Sequence, residues 1–422
     1  MIPPHYRINT AAFFLASAGM MGGTATPFFI FDHLGGGVAM AGIFTGFQSA
    51  AYALTCILAT GYVTRARHTL AWVSLGLLLL IGLYSTLPLF RTPWLCILLT
   101  TIALGGQALV WPALHAWVGG EPDAKKRARN MSSFNISWSS GVALTPLLAG
   151  PLYDYDYRLP FVGMFVFGTI TLLIIRTMPR EDQHFTETTE EALTLRASEQ
   201  REAEIFLFAA WCANMMANCL VGATRSAFPK RIDNLIADGE LRLLFEALPS
   251  AALNAAPATR YSVLAFGLAA VTALAFFLMG RSHRWRYRLE LMLWVQVAAA
   301  AACTVLGQTK SLAVMMFCFM IIGLNYGYCF FASVYYSLAS LQHKHRNATA
   351  NEGAVGIGVL IGGFAFGFIG GAWGVRVPFL LTPILMAMAL AAQILLVRHS
   401  RRRAAAAAET PPILPPMRPD AL

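Results

Sequence analysis

The chain alternates between long apolar runs and short polar connections. Runs near 9–31, 38–62, 69–88, 93–118, 130–152, 159–175, 205–226, 261–280, 291–309, 311–337, 348–371 and 377–397 are continuous in Leu, Ala, Phe and Gly. Most supply the roughly 20 apolar residues that a helix rising about 1.5 Å per residue needs to cross hydrocarbon. Strands of a membrane barrel would be about ten residues long and alternate in polarity, which these runs do not. The pattern predicts an all-α polytopic membrane protein with twelve transmembrane helices. The first run is too long for the apolar core of a signal peptide and is expected to remain as a helix.

Charge sharpens this picture. Only 12% of residues are charged, about half the share of an ordinary soluble chain. Of the 31 basic and 21 acidic side chains, Arg225 and Glu352 alone fall inside the runs. An even number of spans puts both termini on one side, and 22 of the 31 basic residues lie in connections on that side. Positive charge marks the cytoplasmic face, so both termini are expected in the cytoplasm of a multi-pass protein of a bacterial inner membrane. The net charge of +10 is thereby an orientation signal read against anionic lipid, and nucleic acid is not an expected partner. The seven cysteines all lie within runs, and nothing pairs them into a loop framework.

The polar stretch 176–204 divides the spans six and six. It separates an N-terminal bundle, 1–175, from a C-terminal bundle, 205–397, with a tail, 398–422, expected to be disordered after a basic anchor. The halves repeat one text. Arg129-Asn130, Gly141, Gly150 and Arg158-Leu159-Pro160-Phe161 return as Arg346-Asn347, Gly358, Gly367 and Arg376-Val377-Pro378-Phe379, offset by 217 or 218 residues. Gly105-Gly106-Gln107 likewise faces Gly323-Leu324-Asn325.

These landmarks resemble the major facilitator superfamily, whose twelve helices form two six-helix bundles around a central path. The resemblance covers residues 9–397. The family's signature after the second span is partly matched by Gly61-Tyr62-Val63-Thr64-Arg65-Ala66-Arg67-His68, with Thr64 where an acidic residue belongs. A second family pattern in the fifth span, associated there with antiporters, is spaced as Gly141, Thr145-Pro146 and Ala149-Gly150, and the eleventh span echoes it as Gly358, Gly362-Gly363 and Gly367. Small residues at this spacing let helix backbones approach, and helix packing is the plainer reading of both sets.

Glu352 is the acidic residue within a span and the first candidate for a functional ionisable group. One reading is a proton or gate switch, with His115 or a loop Arg as alternate partner; the other is a carboxylate near a helix N-terminus, satisfied by backbone amides or Arg346. Arg225, at the end of the seventh span, is read either as an outer gate or anion contact, meeting Asp32 of the first span, or as a long side chain reaching the interface. The resemblance implies that spans one, four, seven and ten line the substrate path. Their polar and aromatic residues, Gln107, Trp111, Asn214, Asn218, Asn325, Tyr326 and Tyr328, are then the binding candidates, although Asn and Gln also serve as glue between membrane helices. Pro112 should bend the fourth span. A lining of amides and aromatics suits a neutral or weakly polar organic solute.

In the outer loop, 227–260, Asp238 is expected to cap a short helix carrying Leu241, Leu244, Phe245 and Leu248 on one face. No metal site, cofactor motif or nucleotide-binding loop appears, and no clustered His, Asp or Glu supports a membrane-embedded enzyme. The sequence points to a monomeric secondary or facilitative transporter that sits in the lipid bilayer and moves a small solute by alternating access, with protons as a candidate coupling ion. A non-transporting receptor or assembly partner of the same fold is the alternative.

Overall fold

The computed structural model describes residues 4–63, 69–111, 113–114, 118, 124–178, 190–243, 257–339 and 344–409. His115, Pro112, the connection 64–68, Leu244, Phe245, Leu248 and the tail beyond Glu409 lie outside them, and the side chain of Arg346 is not described. The described residues are almost wholly helical. The first half comprises α1 (Pro4–His33), α2 (Val38–Val63), α3 (Thr69–Leu79), α4 (Pro93–Gln107), α5 (Ala124–Leu144), α6 (Pro146–Tyr155) and α7 (Leu159–Arg176). The second comprises α8 (Glu190–Ser226), α9 (Phe228–Ala237), α10 (Pro257–Arg281), α11 (Leu289–Gln308), α12 (Leu312–Ala339), α13 (Lys344–Trp373) and α14 (Val377–Glu409).

Ten stretches among the described residues are helical, long and apolar enough to cross a membrane. Two of the twelve expected runs take another form. The fourth contributes the 15-residue apolar helix α4, which ends at Gln107, five residues before Pro112. The fifth is divided at Thr145: Pro146 brings no amide hydrogen, so the helix restarts there as α6, while Thr145 N still bonds Gly141 O at 3.1 Å. α3 loosens into a π turn at Leu80–Tyr84 before the chain turns back.

The glycines of the repeated pattern lie at helix crossings. A Cβ on Gly141 would collide with the Phe13 carbonyl of α1, and one on Gly358 or Gly362 with the Met215 or Cys219 carbonyl of α8. Gly363 and Gly367 instead face Thr45 and Gly42 of α2, so the eleventh span packs within its own half and across to the other one. Gly150 meets Ser262 and Ala258 of α10, also across the halves, with Pro146 and Ala149 buried beside it. Close backbone approach is how lipid-embedded helices gain dispersion energy, since Leu against Leu gains little over Leu against lipid.

Several expected boundaries move. The helix of the seventh span begins fifteen residues before its apolar run, because Glu190–Glu204 is helical, and the apolar stretch continues through α9, giving one span from Arg201 to Ala237. Good helix formers carry α8 past the hydrocarbon edge, where hydropathy alone places a loop. The basic anchor and alanine run of the tail are likewise helical as far as Glu409, and Arg201 donates to Ala404 O at 3.2 Å. Asp238 follows a helix rather than starting one: it stands at the C-terminal end of α9, with its N–H on Asn234 O at 2.9 Å.

Candidate functional site

Between the two halves lies a cavity of about 290 Å³ walled by α1, α2, α4, α5, α8, α12, α13 and the π turn after α3. Gln107, Trp111 and Tyr326 line it. So do residues of the second, third, fifth and eleventh spans, which the four-span expectation leaves out. Trp111 and Trp138 meet edge to face at 6.2 Å between ring centroids, and Trp138 meets Phe330 at 5.9 Å. Tyr84 and Phe44 add further aromatic surface, and the Tyr84 hydroxyl bonds Thr26 Oγ1 at 2.9 Å.

The other four path candidates face away from the cavity. Asn214 Nδ2 donates to Asn351 Oδ1 at 3.1 Å, joining α8 to α13, and Ser333 of α12 donates to the same oxygen. Asn218 donates to the Asn214 carbonyl and side-chain oxygen, both at 2.9 Å. Asn325 is fully buried, where it accepts from Cys329 Sγ, and Tyr328 donates to the Trp285 carbonyl at 3.3 Å. Asn214, Asn218 and Tyr328 thus find partners inside the second half, as an amide or phenol in hydrocarbon requires, while Asn325 accepts one bond and its Nδ2 stays unpaired among the described residues.

Both charges of the runs belong to the cavity wall, which corrects the reading of an uncharged lining. Glu352 lies eight residues into α13, more than two turns from its start, so backbone amides of a first turn do not hold it. It is buried at 9% exposure, its Oε2 accepts from the Tyr52 hydroxyl of α2 at 2.9 Å, and among the described residues no cation pairs with it. Asn135, its counterpart in the first half, accepts from Trp138 Nε1 at 3.0 Å.

Arg225 does not end its span at the interface. With α9 continuing the buried stretch, the guanidinium sits twelve residues before the end of the 201–237 span, among buried Thr224, Ser226 and Ala227, and is exposed to the cavity. Its one hydrogen bond among the described residues runs from Nη2 to the Met20 thioether of α1 at 3.9 Å. Asp32 is not its partner: that carboxylate accepts from Tyr153 at 2.8 Å within the first half and is off the cavity wall.

Tyr52 and Gln48 were missed by reading the sequence. Their signal is a pair of larger polar side chains four residues apart in the second span, and so on one helix face, beside Thr45 and Ser49.

Two helical bundles packed around a central, mixed polar and aromatic cavity are the architecture of a multi-pass membrane transporter fold. The chain belongs to the Major Facilitator Superfamily, whose family model matches residues 8–232. No curated protein is close enough in sequence to count as a relative. Among solved structures, the chain is similar to a bacterial homolog of the human lysosomal transporter Spinster in its inward-facing, unoccupied conformation. There the TM-score is 0.71 at 14% identity, covering 95% of this chain and 98% of that one. A peptide transporter, POT, in complex with sulfate gives 0.71 at 12% identity over 94% of each chain. The nucleoside transporter NupG gives 0.66 at 11% identity over 94% and 99%. At these identities the likeness is one of fold.

Proposed function

We propose that the protein is a secondary transporter that carries a small organic solute across a bacterial inner membrane by alternating access about the central cavity, with both termini in the cytoplasm. The observation that carries this reading is the central cavity between two packed halves, reached by one carboxylate and one guanidinium. Rocking of the halves would expose such a midplane site to each side in turn. The location in a family of transporters and the excess of basic residues on the side of the termini support the reading.

Glu352 is the coupling group in this scheme. Its oxygen is held by a neutral Tyr52 hydroxyl rather than a cation, an arrangement that tolerates both the protonated and the ionised carboxyl. Tyr52 belongs to the first half and Glu352 to the second, so the bond parts when the halves separate there, and proton occupancy is tied to conformation.

The test uses purified protein in liposomes, with solutes drawn from a thermal-shift screen. Uptake should accelerate when a proton gradient is imposed. Glu352→Gln should lose that acceleration while keeping solute binding, and Tyr52→Phe should shift the pH dependence of uptake. Uptake indifferent to the gradient in the unaltered protein removes the coupling role of Glu352. Specific binding without any uptake favours a receptor of the same fold.

A further inference from the structure

The two charges on the cavity wall are not in equivalent states. Glu352 has a hydrogen-bond donor in Tyr52. Arg225 has no such answer: of its five N–H groups, those of Nη2 alone find an acceptor, a thioether, and among the described residues no carboxylate pairs with it. A guanidinium held inside a membrane span without an anion is expensive, so its persistence there calls for something to offset it. A second donor is at hand, since Gln48 Nε2 on the same wall is buried with no hydrogen bond beyond its approach to the Tyr84 hydroxyl. Tyr84, Gln48 and Arg225 all line the same cavity.

Much of the remaining wall is aromatic, interspersed with the polar Thr26, Thr45, Ser49 and Gln107 and the Tyr52–Glu352 pair. Trp111, Trp138, Tyr326 and Phe330 present rings to the cavity, and the volume of about 290 Å³ sits at the small end of ligand sites. Under-used donors on the wall of a small, partly aromatic chamber suit a ligand with an acceptor-only head and a planar body. Building on the transporter reading, we propose that the solute is a small organic anion, an aromatic monocarboxylate in its simplest form, whose carboxylate lies on Arg225 and Gln48 and whose ring lies among the tryptophans. A guanidinium offers a carboxylate two parallel N–H bonds, and this geometry gives selectivity over amides and alcohols of the same shape.

Benzoate, benzamide and benzylammonium are isosteric probes that differ in the charge of the head. Binding to the purified full-length protein is followed by calorimetry and by tryptophan fluorescence. Benzoate should bind at least about tenfold more tightly than benzamide, and benzylammonium should not bind. Arg225→Gln should weaken benzoate by about tenfold or more and leave benzamide unchanged. Arg225→Lys should keep the preference for benzoate while weakening it, because the charge remains and the fork is lost. Gln48→Leu should weaken benzoate by a smaller factor. If Arg225→Gln fails to fold, the probe series on the unaltered protein with Arg225→Lys and Gln48→Leu decides the matter.

Equal affinity for benzoate and benzamide, unchanged benzoate binding in a folded Arg225→Gln, or no binding by any probe overturns the proposal. Benzoate-selective binding without uptake into liposomes supports the anion site and sinks the transporter reading. Uptake of a neutral solute without any preference for benzoate does the reverse.

Discussion

Two seams join the halves, and they are built on opposite principles. Along the first, α2 and α13 run backbone to backbone: a Cβ on Gly42 would stand 2.8 Å from both the Gly363 carbonyl and the Gly367 Cα, and Gly356 abuts Ala53 further along. Its one side-chain hydrogen bond among the described residues, Tyr52 to Glu352, opens on the cavity. Along the second, α5 and α6 meet α10 through side chains. Trp138 packs on Phe276 at 5.4 Å, and at the end remote from the termini Asp154 accepts from Thr259 N at 2.9 Å and from its hydroxyl. A seam of glycines holds by dispersion over a smooth surface and can slide. A seam fixed by a directional bond holds one geometry and releases it when the bond breaks.

The largest effect should come from roughening the smooth seam. Gly42→Leu inserts a branched side chain where only backbone is present, and overpacking of this kind costs about 1–3 kcal/mol or more. The melting temperature should fall and uptake should be lost. Gly82→Ala, at an exposed site with nothing within 4 Å of the added Cβ, should leave both nearly unchanged. A Gly42→Leu protein with normal uptake would show that the α2–α13 contact is not a working surface.

The directional seam gives an intermediate effect. Thr259 is the third residue of α10, so its amide is one of the donors that a helix leaves unpaired at its start, and Asp154 supplies the cap from the other half. Losing a cap costs about 0.5–2 kcal/mol. Asp154→Ala should therefore speed hydrogen exchange in the first turn of α10 by about two- to thirtyfold and leave exchange in α2 and α13 unaltered. Equal acceleration on both seams would mean that the halves open as one unit, and the contrast between the seams would be without mechanical meaning.

How much of this was legible in the sequence depends on the length scale of the forces involved. Hydropathy over 20 residues reports the spans, and the offset of 217–218 residues reports the two halves, because both are written locally or by repetition. Arg225 and Glu352 stand out for the same reason, as charges inside apolar runs. Their surroundings were not legible. Tyr52 and Glu352 are 300 residues apart, and no local pattern pairs them. Asn214, Asn218 and Asn325 read as path residues because an amide in a span can serve a solute or a neighbouring helix equally well. The structure turns them inward, toward Asn351, Asn214 and Cys329. The helical length of α8 and α14 beyond the hydrocarbon was hidden as well, since hydropathy measures the lipid and not the helix.

The smallest effect should come from a cluster that belongs to neither seam. Glu240, after α9, accepts from Lys310 at 2.7 Å and lies 3.8 Å from Arg376, and all three residues belong to the second half. The hydrogen bond from Lys310, with the nearby charges of Arg376 and Arg242, holds the Glu240 carboxyl below its ordinary value of 4.5. A carboxyl whose folded-state pKa is depressed adds stability that is present above the unfolded value and disappears as pH falls through the lowered one. The group is exposed, and exposed ion pairs contribute little. The melting temperature of the unaltered protein should thus exceed that of Glu240→Gln by a small margin at neutral pH, and the two should converge below about pH 4. Because the cluster staples the loop at Arg242 to Lys310 and Leu312 within one half, its loss should change neither hydrogen exchange at Thr259 nor uptake. A Glu240→Gln protein that transports differently would mean that the remote end of the second half moves as part of the gate, and the comparison of seams would then need a third.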